Sequence, residues 1–226
     1  VSPYLLIVLS TGRTTYLERT LAAIDEHLRP RHSELFIFDD SVTRLGQCRA
    51  YGECWRYAAE SGYEWVMVFE EDYVCLRPID VAHMEDILRA QRHLLQLTLM
   101  RQAWLAEVPY GGYLAKDPGW YDRRSERVFV GEPVFTAEQS PHGRAIYAES
   151  FVAEWIETTR NWANAPTLFR TALAREFEWP SEPGCETTIG PRMLERYPEG
   201  KFGILGAGEV WASHIGVERA AGSHGY

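Results

Sequence analysis

Along the first hundred residues, apolar and polar positions follow two rhythms. Tyr4 to Leu9, Leu35 to Phe38 and Trp65 to Phe69 are unbroken apolar runs. Runs of this kind fit strands buried on both faces of a sheet. Between them the apolar residues step by threes and fours. Leu17, Leu21, Ile24 and Leu28 do so in the first interval, and Tyr51, Trp55 and Ala58 or Ala59 in the second. That spacing predicts helices with one buried face. Thr15 and Glu18 have the spacing of a capping box, Pro30 ends the first helix, and Gly62 stops the second, over about 46–61. Strand-helix-strand-helix-strand with short connections implies right-handed crossovers. The predicted fold is therefore α/β, with a mostly parallel sheet flanked by helices.

The later pattern is less regular. Pro78 to Asp80 starts a third helix that turns Val81, Met84 and Leu88 inward, and Leu95 to Met100 reads as a strand. From about Trp104 to Ala145 the periodicity gives way to Gly, Pro, charge and aromatics, including Trp104, Tyr110, Tyr113, Trp120 and Tyr121. Such stretches inside compact domains are usually functional loops or lids. Phe129-Val130 and Val134-Phe135 are placed to form a short hairpin. Pro166 to Glu176 reads as a helix through Leu168, Phe169, Ala172 and Leu173, and Ile189, Met193 and Tyr197 mark another. No linker, internal repeat or low-complexity segment divides the chain, so residues 1–226 are read as one domain.

Composition narrows the class. The 226 residues are 46% hydrophobic and 24% charged, as in ordinary globular proteins, and carry a net charge of −9. That charge argues against nonspecific, charge-driven binding to nucleic acid or anionic membrane. Cys48, Cys54, Cys75 and Cys185 show neither C-x-x-C nor zinc spacing and read as reduced thiols of a cytoplasmic protein. The apolar stretch Tyr4 to Leu9 is too short for a signal peptide or a membrane span, so a soluble protein with no membrane association is expected.

Chemistry enters where the predicted strands end. Thr11-Gly12-Arg13, Asp39-Asp40-Ser41 and Glu70-Glu71-Asp72 each follow an apolar run. A parallel sheet brings all three to one edge, the edge where open α/β sheets bind ligands. Clustered carboxylates repel one another unless something positive sits among them, and a hard divalent cation does this well. Each feature also has a plain structural reading. Thr11-Gly12-Arg13 can be a tight turn, Asp39 or Asp40 a cap, Arg44 and Arg49 solvated surface residues, His214 a structural histidine, and Glu186 an acid favoured at a helix start.

In their order, these residues resemble the GT-A nucleotide-sugar glycosyltransferases, most closely the family 2-like group. The first strand with Thr11, Gly12 and Arg13 matches the start of the nucleotide pocket. Asp39-Asp40 matches the acid after the second strand, and the stretch from Gln47 and Arg49 to Trp55 and Arg56 matches the Arg-bearing helix before the metal motif. Phe69-Glu70-Glu71-Asp72 stands in for Asp-x-Asp, with Glu70 replacing the first Asp. Val210 to Gly216, with His214, resembles the strand whose histidine completes the metal site. The resemblance covers roughly residues 4–100 and 160–216. It implies a nucleotide-binding half at about 1–100 and an acceptor-binding half at about 101–226.

The resemblance further implies Mn²⁺ or Mg²⁺ at Asp72 and His214, the imidazole tilting the choice toward Mn²⁺. Donor contacts fall to Thr11, Gly12, Arg13, Asp39, Asp40, Arg49, Glu70 and Glu71, and Arg44 shares the place where a guanidinium could clamp diphosphate oxygens. Glu186 matches the general base of inverting members, with Glu182 and Asp117 as competitors. The implied reaction moves a sugar from a nucleoside-diphosphate donor, a UDP-sugar favoured, to an acceptor hydroxyl, with inversion. The loop at 104–135 would offer stacking surfaces to the acceptor. The acceptor is open between a hydroxylated DNA base, a glycan and a small molecule. Three other readings compete: a nucleotidyltransferase of nucleotide-sugar synthesis, which lacks its glycine-rich signature here; a metal-dependent hydrolase, which needs further carboxylates; and a noncatalytic sugar- or nucleotide-binding module.

Overall fold

The computed structural model describes residues 2–99, 155–159, 162–205 and 211–216. The first apolar run is β1 (Tyr4–Ser10), and the amphipathic segment after it is α1 (Thr14–His27). Then come β2 (Leu28–Arg29), β3 (Glu34–Asp39), the short α2 (Asp40–Thr43), α3 (Gln47–Glu60), β4 (Trp65–Glu70), β5 (Tyr73–Cys75), β6 (Ile79–Asp80), α4 (Val81–Ala90) and β7 (Leu94–Leu99). Beyond residue 154 lie β8 (Trp155–Thr158), β9 (Thr167–Arg170), α5 (Thr171–Glu176), α6 (Cys185–Arg196), β10 (Lys201–Leu205) and β11 (Ala212–His214). The expected loop at 104–145, the hairpin at 129–135 and Asp117 lie outside the described residues.

Seven strands form one sheet in the order β3-β1-β4-β9-β7-β10-β8. β1 pairs in parallel with both β3 and β4, and β10 does so with β7. β9 runs antiparallel between β4 and β7, and β8 runs antiparallel along β10. The sheet is mixed and mostly parallel, so the ends of β1, β3, β4 and β7 share one edge. Alternate residues of the central strands feed two cores. Leu6, Val8, Met67, Phe69, Leu97 and Leu168 pack toward Ile24, Leu28, Met84 and Leu88. Leu5, Ile7, Val66, Val68 and Phe169 pack toward Ala50, Trp55, Leu173, Ile189 and Met193. Both faces of β1 and β4 are covered, which is why they read as continuous apolar runs. β3 lies at the sheet edge, and its expected double burial is corrected: Leu35 and Ile37 are exposed and only Phe36 and Phe38 face a core.

Two further local expectations are corrected. Leu168 and Phe169 do not open a helix: Thr167–Arg170 is β9, and the helix begins only at Thr171. Leu168 and Phe169 enter opposite cores, so both must be apolar, and an apolar pair mimics a helical face as well as a doubly buried strand. The capping box is not made either. α1 starts at Thr14 behind Arg13, with no side-chain cap. A carboxylate from another strand takes the place of the cap.

Candidate active site

That carboxylate is Glu71. It is almost fully buried just beyond β4 and accepts hydrogen bonds from Ser10 Oγ (2.6 Å), Thr11 N (3.0 Å), Thr11 Oγ1 (2.5 Å), Arg13 N (3.2 Å) and Arg13 Nε (2.6 Å). Its own carbonyl accepts from Thr20 Oγ1. The acid thus ties the β1–α1 turn to the end of β4, with the positive end of α1 turned toward it. Burial pulls its pKa up, but the hydrogen bonds from Ser10, Thr11 and Arg13 outweigh this and hold the carboxyl below its ordinary range. Gly12 lies in this turn at φ +86°, and a Cβ there would stand 2.5 Å from the Ser41 Cβ. Only glycine lets the turns after β1 and β3 meet so closely.

Asp72 behaves differently. Arg13 Nη2 donates to its Oδ2 at 2.5 Å, so the guanidinium spans both Glu71 and Asp72. His214 Nε2 lies 3.4 Å from the same oxygen. The imidazole arrives there because β11 pairs antiparallel with β5, setting His214 opposite Tyr73, and because Ile215 N donates to the Asp72 carbonyl. Gly216 closes the cradle: a Cβ at that position would lie 2.3 Å from Asp72 Oδ2. Asp72 Oδ1 is buried and has no hydrogen-bond partner among the described residues. A buried, unpartnered carboxylate oxygen beside an imidazole is a donor set that fits a divalent cation. Among the described residues no three His, Cys, Asp or Glu side chains converge into a complete cage. Two ligands suffice for an ion that takes its remaining oxygens from phosphate and water.

At the end of β3 the two aspartates divide their work. Asp39 is exposed and caps α2, accepting from Ser41 N at 2.9 Å. Asp40 is buried and accepts from Thr43 Oγ1 (2.8 Å), Leu45 N (2.7 Å) and Gly46 N (2.9 Å). Its carboxylate therefore braces the α2–α3 connection, and Asp39 is the one of the pair that faces solvent. Arg44, at φ 52°, and Arg49, in the first turn of α3, are both exposed and not drawn into the acid cluster.

Glu70 points to the opposite face of the sheet from Phe69, toward α3. Gln47 Nε2 (3.3 Å) and Tyr51 Oη (2.9 Å) donate to its Oε1. Burial, and then the negative charges of Asp72 and Glu186, push the Glu70 pKa up to about 8 against those two bonds. Glu186 stands in the first turn of α6, where Asn164 N donates to its Oε1 at 2.9 Å. Glu182 is exposed and, among the described residues, accepts from Ser181 Oγ at 3.5 Å. Glu70, Tyr51 and Glu186 therefore form one electrostatically coupled group beside the Asp72–His214 pair. Gln47 and Tyr51 were legible in principle, since residues four apart on a helix share a face. Asn164 gives no signal in the sequence.

No protein-family model matches this chain, and neither does any curated protein sequence. Solved structures do match. Residues 1–349 of S. aureus TarS in complex with UDP align over 93% of this chain and 60% of that one, with a TM-score of 0.50 and 10% identity. A longer S. aureus TarS structure aligns over 94% of this chain and 36% of its own length, with a TM-score of 0.52 and 9% identity. The chain thus spans less than two thirds of the length of the proteins it resembles. At such identities the likeness speaks to architecture, and it agrees with the strand order and the motif order: this chain has the GT-A fold.

Proposed function

We propose that the protein is a metal-dependent glycosyltransferase that moves a sugar from a UDP-sugar to an acceptor hydroxyl with inversion. The observation that carries this reading is the Asp72–His214–Gly216 cradle, with its unpartnered carboxylate oxygen, at the ligand-binding edge of a GT-A sheet. The match to a UDP complex supports the choice of nucleotide. Asp72 and His214 would hold Mn²⁺ or Mg²⁺, which when bound neutralises the diphosphate leaving group. Arg13, fixed by Glu71, sets a cationic group beside that position. Asp39, with Thr11 and Gly12 across the adjoining turn, takes the nucleoside side, and exposed Arg49 lies at the rim.

Glu70 contacts a donor hydroxyl through the oxygen that Tyr51 does not fix. Glu186 takes the acceptor proton; one of its oxygens is held by a backbone N–H, so its orientation is set before the acceptor arrives. The test is a panel of nucleotide-sugars with product analysis, with and without Mn²⁺. Glu186→Gln should keep donor affinity while transfer falls by roughly 10²–10⁴-fold. The anomeric configuration of the product, read by NMR, must be inverted. Retention removes the need for a base, and absence of transfer from every donor sinks the whole reading.

A further inference from the structure

Behind the Glu70–Tyr51 bond, between the sheet and α3, lies a cavity of about 10 Å³ lined by Tyr51, Trp55, Val68, Trp162, Asn164 and Trp179 among others. Two of its lining residues carry buried polar atoms with no partner among the described residues: Nδ2 and Oδ1 of Asn164 and Nε1 of Trp179. Asn164 is 4% exposed and Trp179 7%, so bulk solvent does not satisfy them. The neighbouring polar groups are already committed, since Trp55 Nε1 donates to the Phe177 carbonyl and Tyr51 Oη to Glu70. Buried amides and indoles almost always find partners. A volume of this size holds one water, and a site with two to four polar partners is where such a water is ordered.

We infer that this cavity is a binding site for a single structural water, held by the Asn164 amide and the Trp179 indole N–H, and that Asn164 is thereby a positioning residue. The water accepts from Trp179 Nε1 and from Asn164 Nδ2, and donates to Asn164 Oδ1 or to a Tyr51 Oη lone pair. Tyr51 and Trp179 already stack at 5.6 Å between ring centroids. The same Asn164 offers its backbone N–H to Glu186. One fixed water therefore joins the residue that holds Glu186 to the residue that holds Glu70. The positioning role rests on the reading of Glu186 as the base; the water site does not.

A high-resolution crystal structure of the full chain without substrate should show one water within hydrogen-bond distance of the Asn164 amide and Trp179 Nε1. Asn164→Leu fills the cavity with methyl groups. It should exclude the water and lower kcat by roughly tenfold to a hundredfold, the range expected for small misplacements of a reacting group, with KM for the UDP-sugar unchanged. Trp179→Phe removes only one donor, and should lower the water's occupancy with a smaller loss of kcat. It carries the test if Asn164→Leu does not fold. No density in the wild-type cavity, or undiminished occupancy in Trp179→Phe, overturns the water site. Full kcat in a water-free variant overturns the positioning role. A wild-type protein that orders the water but transfers no sugar fails the functional proposal and leaves the water site standing.

Discussion

The ends of β3 and β4 both present consecutive acids, yet the acids have opposite fates. At β3 the buried Asp40 is consumed by two backbone N–H groups and a hydroxyl, and the exposed Asp39 is a cap. At β4 the buried Glu71 is consumed in the same way by the β1 turn, but its two neighbours are not. Asp72 keeps a buried oxygen without a partner among the described residues, and burial, then the nearby charges of Asp72 and Glu186, push the Glu70 pKa up to about 8. The difference teaches that burial alone does not mark a ligand-binding acid. An acid whose lone pairs are filled by backbone donors builds the site. One left short of donors is waiting for something else.

Substitutions break this comparison in order of effect. Asp72→Asn removes a ligand charge without changing shape, and should abolish Mn²⁺-dependent UDP binding while thermal unfolding stays near wild type. Undiminished binding by calorimetry would show that the cation, if any, sits elsewhere. Glu71→Gln should do the reverse, destabilising the fold by about 3–5 kcal/mol because it removes the buried charge that holds the turn donors and one arm of Arg13. Chemical denaturation measures that loss, and a change below about 1 kcal/mol would contradict the bracing role. Asp40→Asn presents an amide donor to existing donors and should cost about 1–3 kcal/mol. It should leave donor affinity unchanged if Asp40 only braces the α2–α3 connection.

The smallest effect sharpens the contrast within the triplet. Glu70 has a folded pKa raised to about 8, so the folded state binds more protons than the unfolded chain between about pH 4.5 and 8. Its contribution to stability is complete below the unfolded value and is lost as pH rises through 8. Glu71 has the opposite sign: its lowered pKa contributes stability above the unfolded value that is lost as pH falls. Glu70→Gln should therefore raise the melting temperature relative to wild type at pH 9 but not at pH 5. Equal differences at both values would show that Glu70 is not proton-linked to folding.

The alternating half of the fold was legible because each early element carries an unambiguous period. Tyr4 to Leu9 can only be a doubly buried strand once helices of period 3.6 flank it, and the acid-tipped β4 follows the same logic. β9 was not legible, because its strand character comes from insertion between β4 and β7, a tertiary fact that four residues cannot announce. Within the site, motif order anticipated that Asp72 and His214 lie near one another, and they stand 3.4 Å apart. The role of Glu71 was not, because its partners are supplied by a turn some sixty positions away. Asn164 was hidden for the same reason, since its significance lies in what surrounds its amide.

The position of β9 also bears on how the molecule comes to be assembled. β1, β3 and β4 can pair as soon as they leave the ribosome, but the free edge of β4 stays uncovered until Thr167–Arg170 has been made. That edge consists of Trp65, Val66, Met67 and Val68, an apolar template for pairing with any other extended chain. β7 waits for the same segment. The centre of the sheet is therefore closed by a long-range event, the slow kind in folding. A nascent chain interrupted before Thr167 carries a sticky, half-finished sheet, and its vulnerability to aggregation ends only when β9 slots in.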